Sequence, residues 1–331
     1  MKSDFIETAK NAIGADRIWP LEKIQTLWSG YGDIVRYGAE GGTQATVVIK
    51  HVKLPESSNH PRGWGTDFSH QRKIQSYHVE SHFYRDWSRL CNDSCRVPHV
   101  FATEDSDDEF LMVLEDLDVS GFPKRKSSAA PGEMEPCLDW LANFHAAFMG
   151  KSPDGLWETG TYWHLETRPH ELEVMDDQRL KAVAPLIDKK LKEAKYQTIV
   201  HGDAKLANFC FSGDIRRAAA VDFQYAGGGC GMKDVAYFIG SCLDESDCEK
   251  HESLLLDFYF ARLKDALKRQ PQPDVNPEEL ESEWRGLFPF AWADFHRFLK
   301  GWSPGHWKIN SYSERISREV IEKLKNEKGD F

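Results

Sequence analysis

One short segment of this 331-residue chain concentrates the residue types that phosphoryl transfer from ATP requires. Asp203 and Asn208 lie five residues apart, and Asp222 follows after an apolar run. A carboxylate can take the proton of an attacking hydroxyl, while an amide oxygen and a second carboxylate can hold Mg²⁺ on the phosphates. The spacing indicates Asp203 as the candidate base and predicts that Asn208 and Asp222 are magnesium ligands.

Two lysines extend this candidate site. Lys205, two residues beyond Asp203, can neutralise charge on the transferring phosphoryl group. Lys50 ends the apolar run 47–49, and a lysine in such a strand needs a partner. Glu80 in the next predicted element is the natural partner, as in the kinase lysine–glutamate pair that positions the α- and β-phosphates. The alternative is that Lys50 is a solvated residue at a sheet edge.

The elements that position these residues change in character along the chain. Strands rich in Val, Ile and Thr dominate the first third, and helical patterns dominate the remainder. This order predicts an α+β protein in two lobes, residues 1–115 for nucleotide binding and 116–331 for catalysis and acceptor binding. The predicted strands are 24–28, 34–37, 43–52, 97–103, 110–114, 198–200, 208–211 and 218–221. The predicted helices are 69–90, with Ser69 as N-cap, and 133–148, 171–195, 233–243, 249–269, 277–300 and 312–327.

A glycine pair lies between the first two predicted strands. Gly30 and Gly32 flank Tyr31 and would allow the backbone to approach a phosphate closely. A plain hairpin turn explains the same residues equally well.

Composition narrows the classes of function. The formal net charge of −11 argues against a nucleic-acid partner or a broad anionic-membrane surface. No apolar run approaches the roughly 20 residues that a membrane span requires. Seven cysteines without a C-x-x-C pair favour a reduced, cytoplasmic setting.

The motifs taken together resemble those of small-molecule kinases with a protein-kinase-like fold. The similarity is to the aminoglycoside phosphotransferase and choline kinase group, and within it to the choline/ecdysteroid-kinase-like branch. It extends from about residue 25 to residue 240, and the carboxyl-terminal third is similar only in being helical. The segments that carry it are 201–208, 222–224, 234–238, 114–117 and 141–148.

This resemblance implies a fold, cofactors and residue roles. The fold would combine a small antiparallel sheet and one main helix with a larger, mostly helical lobe. The cofactors would be ATP and Mg²⁺, and transfer to a hydroxyl of a small molecule would be direct and in-line. Residues 113–116, which include Val113, Leu114 and Glu115, would offer backbone groups to adenine. His201 and Asp234 would support the catalytic loop.

Two departures from protein kinases bear on the substrate. Gly202 stands in place of the arginine of H-R-D, and no A-P-E segment follows Asp222. A protein substrate is therefore disfavoured. The rival functions are a nucleotide-binding regulatory pseudokinase and, more remotely, a protein kinase.

The acceptor itself is left open by the sequence. Choline-like amines, aminoglycosides, sugars and sterol-like alcohols all remain candidates. Trp302 and Trp307 flank the segment 303–306, where a helix should break, and are the candidate acceptor residues. An aromatic wall there could hold a quaternary amine by cation–π attraction or pack on an apolar ring.

Overall fold

A computed structural model describes residues 5–27, 30–54, 67–106, 109–270 and 274–328. Its amino-terminal strands form an antiparallel sheet in the order β1-β2-β3-β5-β4. The strands are β1 (Arg17–Thr26), β2 (Gly32–Glu40), β3 (Thr46–Lys53), β4 (Val100–Asp105) and β5 (Glu109–Glu115). Pro20 lies on β1, an edge strand, where the missing N–H disrupts the ladder least.

The alternation of side chains along β3 separates a packed face from a cavity face. Val47 and Ile49 are buried in a cluster with helix α1 (Phe5–Ile13). Val48 and Lys50 point the other way and line the central cavity. The period of two thus delivers the lysine to the cavity.

Helix α2 (Asp67–His82) carries Glu80 to the same cavity. It continues through a π-helical turn, Phe83–Trp87, and a 3₁₀ turn, Ser88–Leu90. The Phe83 ring stacks on Phe223, with 3.8 Å between centroids. This contact joins the end of the helix to the residue that follows Asp222.

The rest of the chain is mainly helical, and its apolar faces form the largest core cluster. Two short antiparallel ladders, β6 with β9 and β7 with β8, hold the segments around the catalytic motif. The further strands are β6 (Thr198–Val200), β7 (Phe209–Phe211), β8 (Ala218–Ala220) and β9 (Gly227–Gly229). The further helices are α3 (Pro131–Ala147), α4 (Pro169–Glu173), α5 (Gln178–Lys192), α6 (Met232–Cys242), α7 (Glu245–Arg269), α8 (Pro277–Trp302) and α9 (Ser311–Lys328).

Several predicted boundaries were wrong. The first strand begins at Arg17 rather than Ile24, and α1 was not foreseen. Helix α2 starts before Ser69, so Ser69 is not its cap; its hydroxyl accepts a hydrogen bond from Arg72 instead.

The predicted helix 171–195 is also interrupted. Asp177 is the N-cap of α5, which begins as a separate helix. Its carboxylate accepts a hydrogen bond from the N–H of Leu180, a first-turn donor that has no partner within the helix.

In the part of the chain that the structure describes, the longest helices are too polar to cross a bilayer.

Candidate active site

A single cavity of about 700 Å³ gathers most of the candidate residues. It lies between the sheet, α2 and the loops around β6 to β8. The predicted site residues that line it are Lys50, Glu80, Leu114, Glu115, Asp203, Lys205, Asn208, Asp222 and Trp302. Since these positions span more than half of the chain, tertiary packing has assembled one site from distant segments.

The carboxylate of Asp203 is held from both oxygens. Its Oδ2 accepts hydrogen bonds from Lys205 Nζ at 2.7 Å and Asn208 Nδ2 at 3.1 Å, and its Oδ1 accepts one from the Tyr237 hydroxyl at 3.1 Å. Burial raises the pKa of Asp203; Lys205 opposes this and Asp222 adds to it, so the net direction is upward. A carboxylate with a raised pKa is a stronger base once ionised.

The loop that carries Asp203 is supported by Asp234 at the start of α6. The N–H groups of His201 and Gly202 donate to the two oxygens of Asp234 at 2.6 and 2.9 Å. His145, fully buried, lies 3.2 Å from the same carboxylate. This arrangement puts His201 and Asp234 behind the catalytic residue and His145 in the core.

Close packing explains why residue 202 is a glycine, which the sequence alone did not reveal. Its φ is +79°, and a Cβ there would lie 2.0 Å from the carbonyl oxygen of Tyr225. An arginine cannot occupy this position without moving the backbone.

Asp222 and Asn208 offer oxygen atoms suited to magnesium. Asp222 Oδ1 is buried and makes no hydrogen bond to any of the described residues. The residue adopts φ +71°, a conformation that non-glycine residues rarely hold outside functional sites. The Asn208 amide nitrogen is committed to Asp203, which leaves the amide oxygen for a cation. Mg²⁺ prefers one or two such ligands completed by phosphates and water.

The positive charges around Asp222 set its ionisation. Lys50 Nζ lies 2.6 Å from Glu80 Oε2 and 3.8 Å from Asp222 Oδ1. Burial raises the pKa of Asp222, but Lys50, Lys205 and Lys73 outweigh it, and the pKa is lowered. Asp222 is therefore an anion at neutral pH, as a metal ligand must be.

Lys73 is a site residue that the sequence analysis missed. Its Nζ donates to Gln224 Oε1 at 2.9 Å and lies 4.6 Å from the centroid of the Tyr77 ring. Burial and the neighbouring charge of Lys50 lower its pKa to about 8. The signal was available, because Lys73 precedes Glu80 by seven residues, two turns of one helix face.

Fewer of residues 113–116, the predicted adenine-binding segment, are open to the cavity than the sequence analysis predicts. Leu114 and Glu115 line the cavity, whereas the Val113 side chain packs in the core on the opposite face. The N–H of Glu115 donates to the His99 carbonyl at 2.8 Å, so it is not available to a base. Asp116 is held by Arg36, Nε to Oδ2 at 2.8 Å.

Three other candidates lie outside the cavity lining. A Cβ on Gly32 would lie 2.0 Å from the carbonyl oxygen of His51, so close packing between β2 and β3 explains this glycine. Gly30 has φ +70°, and its N–H donates to the Leu27 carbonyl at 3.1 Å. Trp307 is more than half exposed, and its ring stacks on His306, which also lies beside Trp302.

Comparison with known proteins agrees with this geometry. Residues 158–271 match the model of the Ecdysteroid kinase-like family, and this match includes the catalytic loop, Asp222 and Asp234. It confirms the resemblance to small-molecule kinases. No curated protein matches the sequence.

The first of two similar solved structures supports the fold. A microcompartment-associated aminopropanol kinase is 13% identical, with a TM-score of 0.50, over 98% of this chain and 97% of its own. An amicoumacin kinase in complex with AMP-PNP and Ca²⁺ is 11% identical, with a TM-score of 0.49, over 98% and 94%. The predicted two-lobed, protein-kinase-like α+β fold is confirmed.

Proposed function

We propose that the chain transfers the γ-phosphoryl group of ATP to a hydroxyl of a small molecule, with Mg²⁺ as cofactor. The observation that carries the proposal is the Asp203 carboxylate, which lies in the same cavity as Asp222, Asn208 and Lys50. A base, two candidate metal ligands and a phosphate-binding lysine are the parts that in-line transfer needs.

Each residue has a role in this proposal. Asp203 accepts the proton of the acceptor hydroxyl, and Lys205 stabilises negative charge on the phosphoryl group. Lys50, fixed by Glu80, binds the α- and β-phosphates, while Asn208 and Asp222 would hold Mg²⁺. The metal, when bound, would neutralise charge on the phosphate oxygens.

The decisive experiment replaces the base. Asp203→Asn keeps the shape of the side chain but replaces one acceptor oxygen with an amide group that cannot take a proton, so kcat for ADP release should fall by about 10²–10⁴-fold. The thermal shift that MgATP produces should persist. Wild-type turnover in Asp203→Asn would overturn the assignment, and ATP binding without turnover in the wild type would favour a regulatory role.

A further inference from the structure

Beyond Asp203 the cavity has an aromatic end, formed by Tyr162, Tyr225, Tyr237, Phe298 and Trp302. We call it the acceptor end. The Phe298 and Trp302 rings stack with 5.7 Å between centroids and an interplanar angle of 12°. The Tyr237 hydroxyl links this end to Asp203 Oδ1. A hydroxyl positioned for the base would therefore belong to a molecule that packs on flat rings.

Two arginines lie beside these rings. Arg168 donates from Nε to the Tyr162 carbonyl at 2.8 Å, and its guanidinium is 5.6 Å from the Phe298 ring centroid. Arg72 donates to the Thr167 carbonyl at 2.9 Å and to the Ser69 hydroxyl at 3.1 Å. Both arginines line the cavity.

The two side chains differ in their counter-charges. Arg168 pairs with Glu171, with 3.3 Å between Nη1 and Oε1. The hydrogen-bond acceptors of Arg72 named above are uncharged. Burial and the adjacent charge of Arg168 lower the pKa of Arg72, whereas Tyr225 and Glu171 raise it, and the net direction is downward.

The carboxylates that line the cavity pair with other cations or have roles in the proposed reaction. Among the described residues they are Glu80, Glu115, Asp116, Asp203 and Asp222. The first three pair with Lys50, Arg96 and Arg36, and the last two serve the reaction. Lys308, 5.3 Å from the Tyr237 ring centroid, adds further positive charge near the acceptor end.

We propose that the acceptor is an alcohol with a planar, apolar body and an anionic group, and that Arg72, with Arg168 beside it, binds this group. The inference rests on the proposed function. It separates the acceptor classes that the sequence left open: a quaternary amine or an aminoglycoside would place its charge against arginines, whereas an anion would gain charge-assisted hydrogen bonds.

A matched series of para-substituted phenethyl alcohols tests the proposal. The substituents are carboxylate, methyl and aminomethyl, so the phenethyl alcohol body is constant while the charge of the substituent changes sign. Wild-type protein with MgADP should be stabilised most by the carboxylate and least by the amine, and ADP release from MgATP should follow the same order. In Arg72→Gln the affinity ratio of carboxylate to methyl should fall by about tenfold or more. Arg89→Gln, an exposed arginine outside the cavity, is the control.

The possible results of these assays distinguish the anion site from the proposed function. Preference for the amine, or an unchanged ratio in Arg72→Gln, would overturn the proposal. An equal loss for all three alcohols together with a higher KM for ATP would assign Arg72 to the nucleotide and also overturn it. If the carboxylate stabilises the protein through Arg72 but no alcohol is phosphorylated, the anion site stands and the proposed function fails.

Discussion

Lys50 on β3 and Glu80 on α2 form a buried ion pair, with 2.6 Å between Nζ and Oε2. The side chains are 4% and 2% exposed, so water cannot replace either partner. The pair joins the sheet to the helix directly above Asp222. It is a structural contact between the two elements, and in the proposed function Lys50 also binds phosphate.

This pair predicts strong coupling in a double-mutant cycle. Lys50→Met or Glu80→Met alone should lower the free energy of unfolding by about 3–5 kcal/mol, because each leaves a buried charge without its partner. The double variant should lose less than the sum. Urea unfolding of the four proteins measures the coupling. The matched cycle at Arg17 and Glu40, an ion pair at 3.0 Å with both side chains mostly exposed, should give about 0–1 kcal/mol. Additivity at Lys50 and Glu80 would contradict the contact.

Asp222 should govern binding of MgATP. Its Oδ1 has no hydrogen bond within the part of the chain that the structure describes, so the carboxylate is available to a cation. Asp222→Ala should abolish the stabilisation that ATP gives in the presence of Mg²⁺, which at 100 times Kd amounts to about 2.7 kcal/mol. A melting scan with and without the metal measures it. Asp274→Ala, in an exposed turn, should keep the full shift. An Asp222→Ala protein with the same shift would exclude this residue as a ligand.

Tyr237 should tune the base. Its hydroxyl donates to Asp203 Oδ1 at 3.1 Å, and a hydrogen bond to the ionised form lowers a carboxyl pKa. Tyr237→Phe should therefore raise the pKa of Asp203. Because the base works only when ionised, kcat falls as the pH drops through this pKa, and the acid limb of the profile should move to higher pH in the variant.

The control for Tyr237 is the next tyrosine in the chain of hydroxyls. Tyr162, 3.3 Å from the Tyr237 hydroxyl, does not donate to Asp203 in the described hydrogen bonds. Tyr162→Phe should shift the acid limb less. Identical profiles for wild type and Tyr237→Phe would show that the tyrosine does not act on the base.

The structure leads to different predictions for Trp302 and Trp307, the two candidate acceptor residues. Trp302 lines the cavity and stacks on Phe298, whereas Trp307 lies outside the cavity lining. Trp302→Ala should raise the acceptor KM several-fold, since an aromatic pair contributes about 0.5–1.5 kcal/mol beyond its buried area. The KM for ATP should change little. Trp307→Ala should leave both constants near wild type. Steady-state kinetics with one alcohol that the wild type phosphorylates measure the acceptor KM and the ATP KM of both variants. A larger effect on the acceptor KM in Trp307→Ala than in Trp302→Ala would reverse the assignment.

Spacing along the chain was enough to predict which residues of the central loop lie together. Asp203, Lys205 and Asn208 lie within six residues, so a single tight loop must bring them together whatever surrounds it. Lys50 was predictable for a similar reason, because the period of two along β3 sets its face. The α+β order followed from the change from β-branched runs to helical periodicity.

Contacts between side chains that are distant in the sequence depend on how the elements pack. Tyr237 reaches Asp203 across 34 positions, and Arg72 lies beside Arg168 because α2 packs over the segment before α4. Packing likewise decided that Val113 lies in the core, that Gly32 lies close to the backbone of His51 and that Trp307 lies outside the cavity lining. Local spacing fixes what one loop can do. The charge and shape of a cavity depend on contacts between segments that the spacing along the chain does not constrain.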